Sequence, residues 1–188
     1  MRDRIIVITG ATGSGKTTVG KYLKDKYAIP KVITHTTRVP RPGEQNEVDY
    51  YFESDETFNQ RHFLESVKYD GHRYGSSYEA LERGWEKSPL LSVVLDTKGA
   101  VTYSEKLGEE AVIIFLTVSK DNALQQRIKE RGDDPNAIDH RLESDEYQRD
   151  MALPKELQGI AHVIVNDKLD KTKLMLDEII KELRNDLN

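Results

Sequence analysis

The chain has 188 residues, 37% of them hydrophobic and 32% charged, with a formal net charge of −5 and no cysteine. That is enough for one compact domain with inserted lobes, and it excludes disulfides, thiolate metal sites and a cysteine nucleophile. An acidic total also argues against a general nucleic-acid binder, whose affinity rests on a basic face, so any anion site here is local.

The first apolar run, Ile5 to Thr9, is far too short for a membrane span and lacks the layout of a secretory signal. A cytoplasmic protein with no membrane partner and no nucleic-acid partner is expected. Arg4 to Thr9 is a continuous β-branched run of the kind buried on both faces of a parallel sheet, and Lys16 to Tyr27 follows with helical spacing through Val19, Tyr22 and Leu23. Between them stands GATGSGKTT, Gly10 to Thr18. Gly10, Gly15, Lys16 and Thr17 satisfy G-x-x-x-x-G-K-[ST] directly after a strand and before a helix, the context that the motif requires. Glycines let backbone N–H groups turn inward onto a phosphate, the helix N-terminus adds partial positive charge, Lys16 reaches the β/γ oxygens and the Thr17 hydroxyl suits Mg²⁺.

Lys31 to Thr34 is the next strand candidate. From Arg38 to Ser76 the pattern changes to Pro and Gly punctuation with aromatic pieces, which predicts a small lobe of short antiparallel strands. Arg38 and Arg41 lie three apart across a proline-stiffened loop, where two guanidinium forks can clamp one phosphate, and Tyr50 and Tyr74 add hydroxyl donors. The bland alternative is that the two arginines pair with Glu44, Glu47 or Asp49. The histidines are scattered, and His35 and His72 merely neighbour these residues without metal-like spacing.

Leu90 to Leu95, Ala111 to Val118 and His162 to Val165 read as further buried strands, alternating with helical patterns at Asp121 to Arg131 and Asp170 to Leu187. Strands alternating with helices imply a parallel α/β sheet with right-handed crossovers. Arg127 to about Leu157 is strongly charged with little apolar periodicity, GDDPN interrupts it at Gly132 to Asn136, and an exposed, mobile helical lobe is expected.

A phosphate loop alone leaves GTPase, ATPase and small-molecule kinase open. VNDKLD, Val165 to Asp170, carries the residues of a guanine-reading N-K-x-D in the wrong order, which weakens the GTPase reading. Kinase chemistry needs a second anion site for the acceptor and mobile cations around the transferring phosphoryl, and the Arg38 to Tyr50 region offers that site.

The phosphate loop, TTRVPRPGE with DYYF, FLESVKYDGHRYGSS, VLDTKG, LQQRIKERG with HRL, and VIVND together resemble the guanylate kinases in order and spacing along nearly the whole chain. The resemblance implies an α/β fold of the P-loop NTPase type, with a parallel sheet flanked by helices. Its core would be 1–33, 77–126 and 158–188, its GMP-binding lobe about 34–76 and its helical lid about 127–157. The implied activity is ATP-dependent phosphorylation of GMP, and of dGMP, to the diphosphate by Mg²⁺-assisted phosphoryl transfer in purine nucleotide metabolism; a homodimer is left open.

By the same resemblance, Gly10, Ala11, Thr12, Gly13, Ser14, Gly15, Lys16, Thr17, Thr18 and Asn166 bind ATP. Arg38, Arg41, Tyr50 and Tyr74 hold the GMP phosphate, Thr34, Glu65 and Ser76 read guanine, and Asp96 adds a contact to GMP. Lys16, Arg38 and the lid arginines Arg127, Arg131 and Arg141 carry the catalysis, and Thr17, with Asp96 through water, attends the Mg²⁺. Guanine's N1–H and N2 amino group lie side by side, so the Glu65 carboxylate accepts from both, while adenine presents an acceptor and is repelled; a hydroxyl from Thr34 or Ser76 donates to O6.

Four positions depart from the family pattern. Val94 stands where the first aspartate of a D-x-D pair is usual, leaving Asp96 alone, and Glu47 replaces a turn glycine before DY. Thr34 stands where serine is common, and Ala11 where proline is frequent in the loop. Two other readings follow: a P-loop kinase for a different phosphorylated acceptor, kept alive by Val94, and a non-catalytic guanylate-kinase-like binding module, opposed by the retained Lys16.

Overall fold

A computed structural model describes residues 3–69, 71–130 and 142–187 of the chain. Two sheets organise it. The first is all parallel, with strand β1 (Arg4–Thr9), β6 (Leu90–Val94), β7 (Ala111–Thr117) and β8 (His162–Val165) in the order β6-β1-β7-β8. The second joins β2 (His35–Thr36), β3 (Tyr51–Phe52), β4 (Phe63–Tyr69) and β5 (His72–Ser77) in the order β3-β2-β5-β4. Its pairs are antiparallel except β2 with β3.

The period-2 alternation of β1 builds two cores at once. Ile6 and Ile8 pack with Val19 and Leu23 of helix α1 (Lys16–Tyr27) and with Leu176 and Ile180 of the C-terminal helix. Ile5 and Val7 face the other side, against Leu81 of α3 (Tyr78–Trp85) and Ala100 and Tyr103 of α4 (Thr97–Leu107). Both faces of a parallel sheet must be covered, which is why this strand is apolar at consecutive positions. Each fully buried Ile or Leu contributes about 1.5–3 kcal/mol relative to exposure.

Between β3 and β4 of the second sheet the chain forms a short helix, α2 (Asp55–Phe58), started by a reciprocal Ser54–Thr57 capping box. After β7 come α5 (Asp121–Glu130), α6 (Asp145–Asp150), whose N-cap is Ser144, and α7 (Leu169–Leu187). No helix among the described residues is long and apolar enough to cross a membrane.

Two expectations need correction. The strand predicted from Lys31 to Thr34 is a bridge at one residue, Lys31 beside Ser92, flanked by the bonds Ser92 N to Pro30 O and Val32 N to Ser92 O. The chain then changes partner, because the Thr34 carbonyl accepts from Tyr51 N and draws the backbone into the second sheet. The described parts of the charged segment, 127–129 and 142–157, are also less exposed than its composition suggests. Leu124 and Ile128, four apart on α5, bury with Tyr147, Val118 and the phosphate-loop Ala11 as a third apolar cluster, and Leu157 is fully buried in the second core. A two-residue stripe is enough to seat a helix yet too short to register as periodicity. Arg131 and Arg141 lie outside the described residues.

Candidate active site

A cleft of about 670 Å³ opens between the two sheets at the C-terminal ends of β1 and β6. This is where an open parallel sheet places its ligands, because the strand-to-helix turns and helix N-termini converge there.

The donor end is the turn from β1 into α1. Gly10 and Gly15 adopt φ of 125° and 101°, and a Cβ on either would collide, with the Leu116 carbonyl and with the Asn166 amide respectively. Thr12, Gly13, Gly15, Lys16, Thr17 and Thr18 line the cleft, whereas Gly10, Ala11 and Ser14 form the turn behind it. The Lys16 ammonium folds onto its own loop, donating to the Gly10 carbonyl at 2.6 Å and the Ala11 carbonyl at 2.9 Å. Asn166, which also borders the cleft, clamps the loop from outside: its Nδ2 donates to Ser14 O and its Oδ1 accepts from Thr172, both at 2.8 Å. The Arg127 guanidinium donates to the carbonyls of Asn166 at 2.8 Å and Gly13 at 3.4 Å, so it stands on the same flank of the loop.

The acceptor end is assembled from distant segments. Arg41, Tyr50 and Tyr74 line the cleft, with the two tyrosine rings edge to face at 6.2 Å. Arg38 lies behind them with its guanidinium 5.5 Å from the Tyr50 ring. Glu44 ties the arginine loop together: one carboxylate oxygen accepts from Arg38 Nη2 at 2.9 Å and the other from the Arg41 backbone N–H at 2.7 Å. The Glu44 pairing foreseen as the bland alternative is therefore present for Arg38, and the same carboxylate holds the loop in a shape that turns Arg41 to the cleft. Glu47 keeps the turn usually made by glycine by adopting φ of 66°, a left-handed conformation that a non-glycine residue rarely takes.

Thr34 and Glu65 also line the cleft, and Ser76 lies just behind. Ser76 Oγ donates to Glu65 Oε1 at 3.0 Å, leaving Glu65 Oε2 buried without a partner. Burial pushes the Glu65 carboxyl up to about 7, with the nearby Asp96 charge acting in the same direction. Asp96 caps α4, its Oδ1 accepting from Gly99 N at 2.7 Å and its Oδ2 from Arg149 Nη2 at 2.5 Å. Burial raises its carboxyl as well.

Four residues in or behind the cleft were not singled out from sequence. Arg149 bridges Asp96 and Asp150, and Asp150 in turn accepts from both the backbone N–H and the hydroxyl of Thr97. Nothing local marks these two among so many charges. Tyr69 was findable: Glu65, Val67 and Tyr69 alternate along β4 and all three line the cleft, and the Tyr69 hydroxyl lies 3.3 Å from Thr12 Oγ1. Tyr103, behind Ser76, is the fourth.

The guanylate kinase family model matches residues 2–183. A guanylate kinase of Thermus thermophilus is 36% identical over 176 residues, 91% of this chain and 77% of that protein. One of Prochlorococcus marinus is 34% identical over 184 residues, covering 95% and 97% of the two chains. The crystal structure of guanylate kinase from Anaplasma phagocytophilum superposes with a TM-score of 0.66 over 96% of this chain and 85% of that one, at 23% identity, and so shares the fold. With the phosphate loop and the divided cleft in place, and with relatives matching over nine-tenths of its length, the chain belongs to the guanylate kinase family.

Proposed function

We propose that the chain transfers the γ-phosphoryl group of ATP to GMP, and to dGMP, forming ADP and the guanosine diphosphate. The observation that carries this reading is one cleft joining a complete phosphate loop to a buried carboxylate with an unpartnered oxygen, with Arg41, Tyr50 and Tyr74 between them.

ATP seats its triphosphate on the loop N–H groups at the α1 N-terminus, and Lys16 exchanges the carbonyls of Gly10 and Ala11 for phosphate oxygens. Asn166 and Arg127 act on the donor side by holding the loop and its flank. The acceptor phosphate binds Arg41, Tyr50 and Tyr74, with Arg38 behind them, and Glu65 accepts from the guanine N–H donors. Phosphoryl transfer asks chiefly for alignment of the two oxygens and for charge stabilisation, so no separate general base is assigned. Mg²⁺ fits the donor set, because the Thr17 hydroxyl reaches the cleft and the remaining ligands of such an ion are phosphate oxygens and water. Asp96 is the carboxylate at hand for its waters; when bound, the ion neutralises charge on the phosphates. Arg131 and Arg141 are assigned to the lid by the family resemblance alone. A chain without cysteine agrees with a reducing, cytoplasmic setting.

A kinase for another acceptor and a non-catalytic module are less favoured, since Lys16 is retained and the buried carboxylate suits guanine. ADP formation with ATP and Mg²⁺ across GMP, dGMP, AMP, CMP, UMP and IMP tests the reading. Turnover strongest with the guanine acceptors is expected. Turnover centred on another acceptor, or none from folded protein that binds ATP, would overturn it.

A further inference from the structure

Behind the base-reading end three polar side chains form a line. Tyr103 Oη donates to Ser76 Oγ at 2.9 Å, and Ser76 Oγ donates to Glu65 Oε1 at 3.0 Å. Tyr103 and Ser76 are fully buried and Glu65 is 5% exposed, so water supplies none of these bonds.

With Glu65 ionised, one arrangement of the two hydroxyl protons satisfies every atom of the line, Glu65 Oε2 lying outside it. An ionised carboxylate has no proton to give, so Ser76 must donate to it. Ser76 has then used its single proton and can only accept from Tyr103. The reverse order would strand the phenol proton and leave Glu65 Oε1 bare in a buried site, where an unmade hydrogen bond is costly. The Tyr103 ring is itself fixed, packed in the core with Val7, Leu64 and Ile113.

Resting on the guanine-acceptor reading above, we propose that Tyr103 is a positioning residue for base selection, its phenol directing the Ser76 proton onto Glu65 and so fixing the carboxylate whose bare Oε2 meets the base. One consequence narrows the two hydroxyls that the sequence offered for guanine O6. Ser76 has no proton left for guanine O6, so Thr34, which lines the cleft, is the hydroxyl that serves O6. A second consequence is that Tyr103 touches neither nucleotide and acts only through Ser76, on the acceptor and not on ATP.

The test uses the full chain with Tyr103→Phe, which removes one oxygen and keeps the ring. Expected are a rise of about three- to tenfold in KM for GMP, with kcat and KM for ATP held within about twofold, and a smaller preference for GMP over IMP, which lacks the N2 donors. The acid limb of kcat/KM for GMP should also move to higher pH, because a less firmly held Ser76 stabilises the carboxylate less. Since Tyr103 acts through Ser76, adding Tyr103→Phe to Ser76→Ala should change nothing further.

An unchanged KM for GMP, equal rises for GMP and ATP, or losses that add to those of Ser76→Ala would overturn the proposal. Should the phenylalanine protein melt early, the assigned ¹³Cζ resonance of Tyr103 in the unaltered protein decides instead. Displacement on GMP addition supports the relay, and an unmoved resonance overturns it. Failure of the unaltered protein to phosphorylate GMP would overturn the functional reading, whereas GMP turnover with an indifferent Tyr103→Phe overturns only this inference.

Discussion

The two ends of the cleft are built in opposite ways. At the donor end nine consecutive residues, Gly10 to Thr18, make the turn and the first residues of α1, and the distant side chains of Asn166 and Arg127 brace it. At the acceptor end, groups from residues 34, 38, 41, 50, 65, 74, 76, 96 and 103 converge, and several are held by a second residue: Arg38 by Glu44, Asp96 by Arg149, Glu65 by Ser76, and Ser76 by Tyr103. A phosphate is bound by backbone geometry, which a short peptide can encode. A base is discriminated by buried side chains, which must be brought together and kept satisfied.

Separability of the two ends is therefore what mutation should probe, and the largest effect is expected at Lys16. Lys16→Met should lower turnover by about 10³-fold or more while calorimetric GMP affinity stays nearly intact. Equal loss of GMP binding would erase the distinction between the ends.

Next comes Glu65→Gln, which should reduce kcat/KM for GMP by about 10²-fold and narrow the preference over other acceptors, with KM for ATP unchanged. The same residue makes the acceptor end pH-sensitive. With its carboxyl pushed up to about 7, GMP binding is strong above that value and weakens as pH falls through it, and the dependence should flatten in Glu65→Gln. Without ligand the sign is reversed. A raised carboxyl favours the folded state at low pH, so this group's contribution to stability is lost as pH rises from 4.5 to about 7. Melting curves between those values, with and without GMP, measure both directions.

A smaller effect belongs to the donor end. Asn166→Ala leaves Ser14 O without its bond and should raise KM for ATP about tenfold, with about 1–3 kcal/mol lost on unfolding and GMP affinity held. The smallest lies in the arginine loop, where Glu47→Gly removes a left-handed side chain and should raise stability by about 1 kcal/mol without altering ATP binding. A destabilised Glu47→Gly protein would show that the Glu47 side chain supports the loop more than its backbone strains it.

The alternation of β-branched runs with helical spacing, and the phosphate loop between the first strand and helix, were legible because each depends on neighbours within a few residues. The turn at Lys31 to Thr34 was not, since an apolar run looks the same whichever sheet receives it. Its fate was decided by Tyr51, seventeen positions beyond Thr34, whose N–H bonds to the Thr34 carbonyl. The buried stripe on α5 escaped for a related reason: two apolar residues matter only where Ala11 and Val118 wait for them.

By itself, then, the amino-acid sequence determined the glycine-rich loop between β1 and α1 and the arginines and tyrosines of the second lobe, because glycine conformations, a lysine at fixed spacing and paired arginines carry their chemistry locally. The tertiary structure alone decided that Ser76 turns its proton to Glu65, that Arg149 answers Asp96 and that Asn166 belongs to the loop. Those assignments rest on burial and on hydrogen bonds between residues 11 to 152 positions apart, and neither quantity exists until the chain has folded.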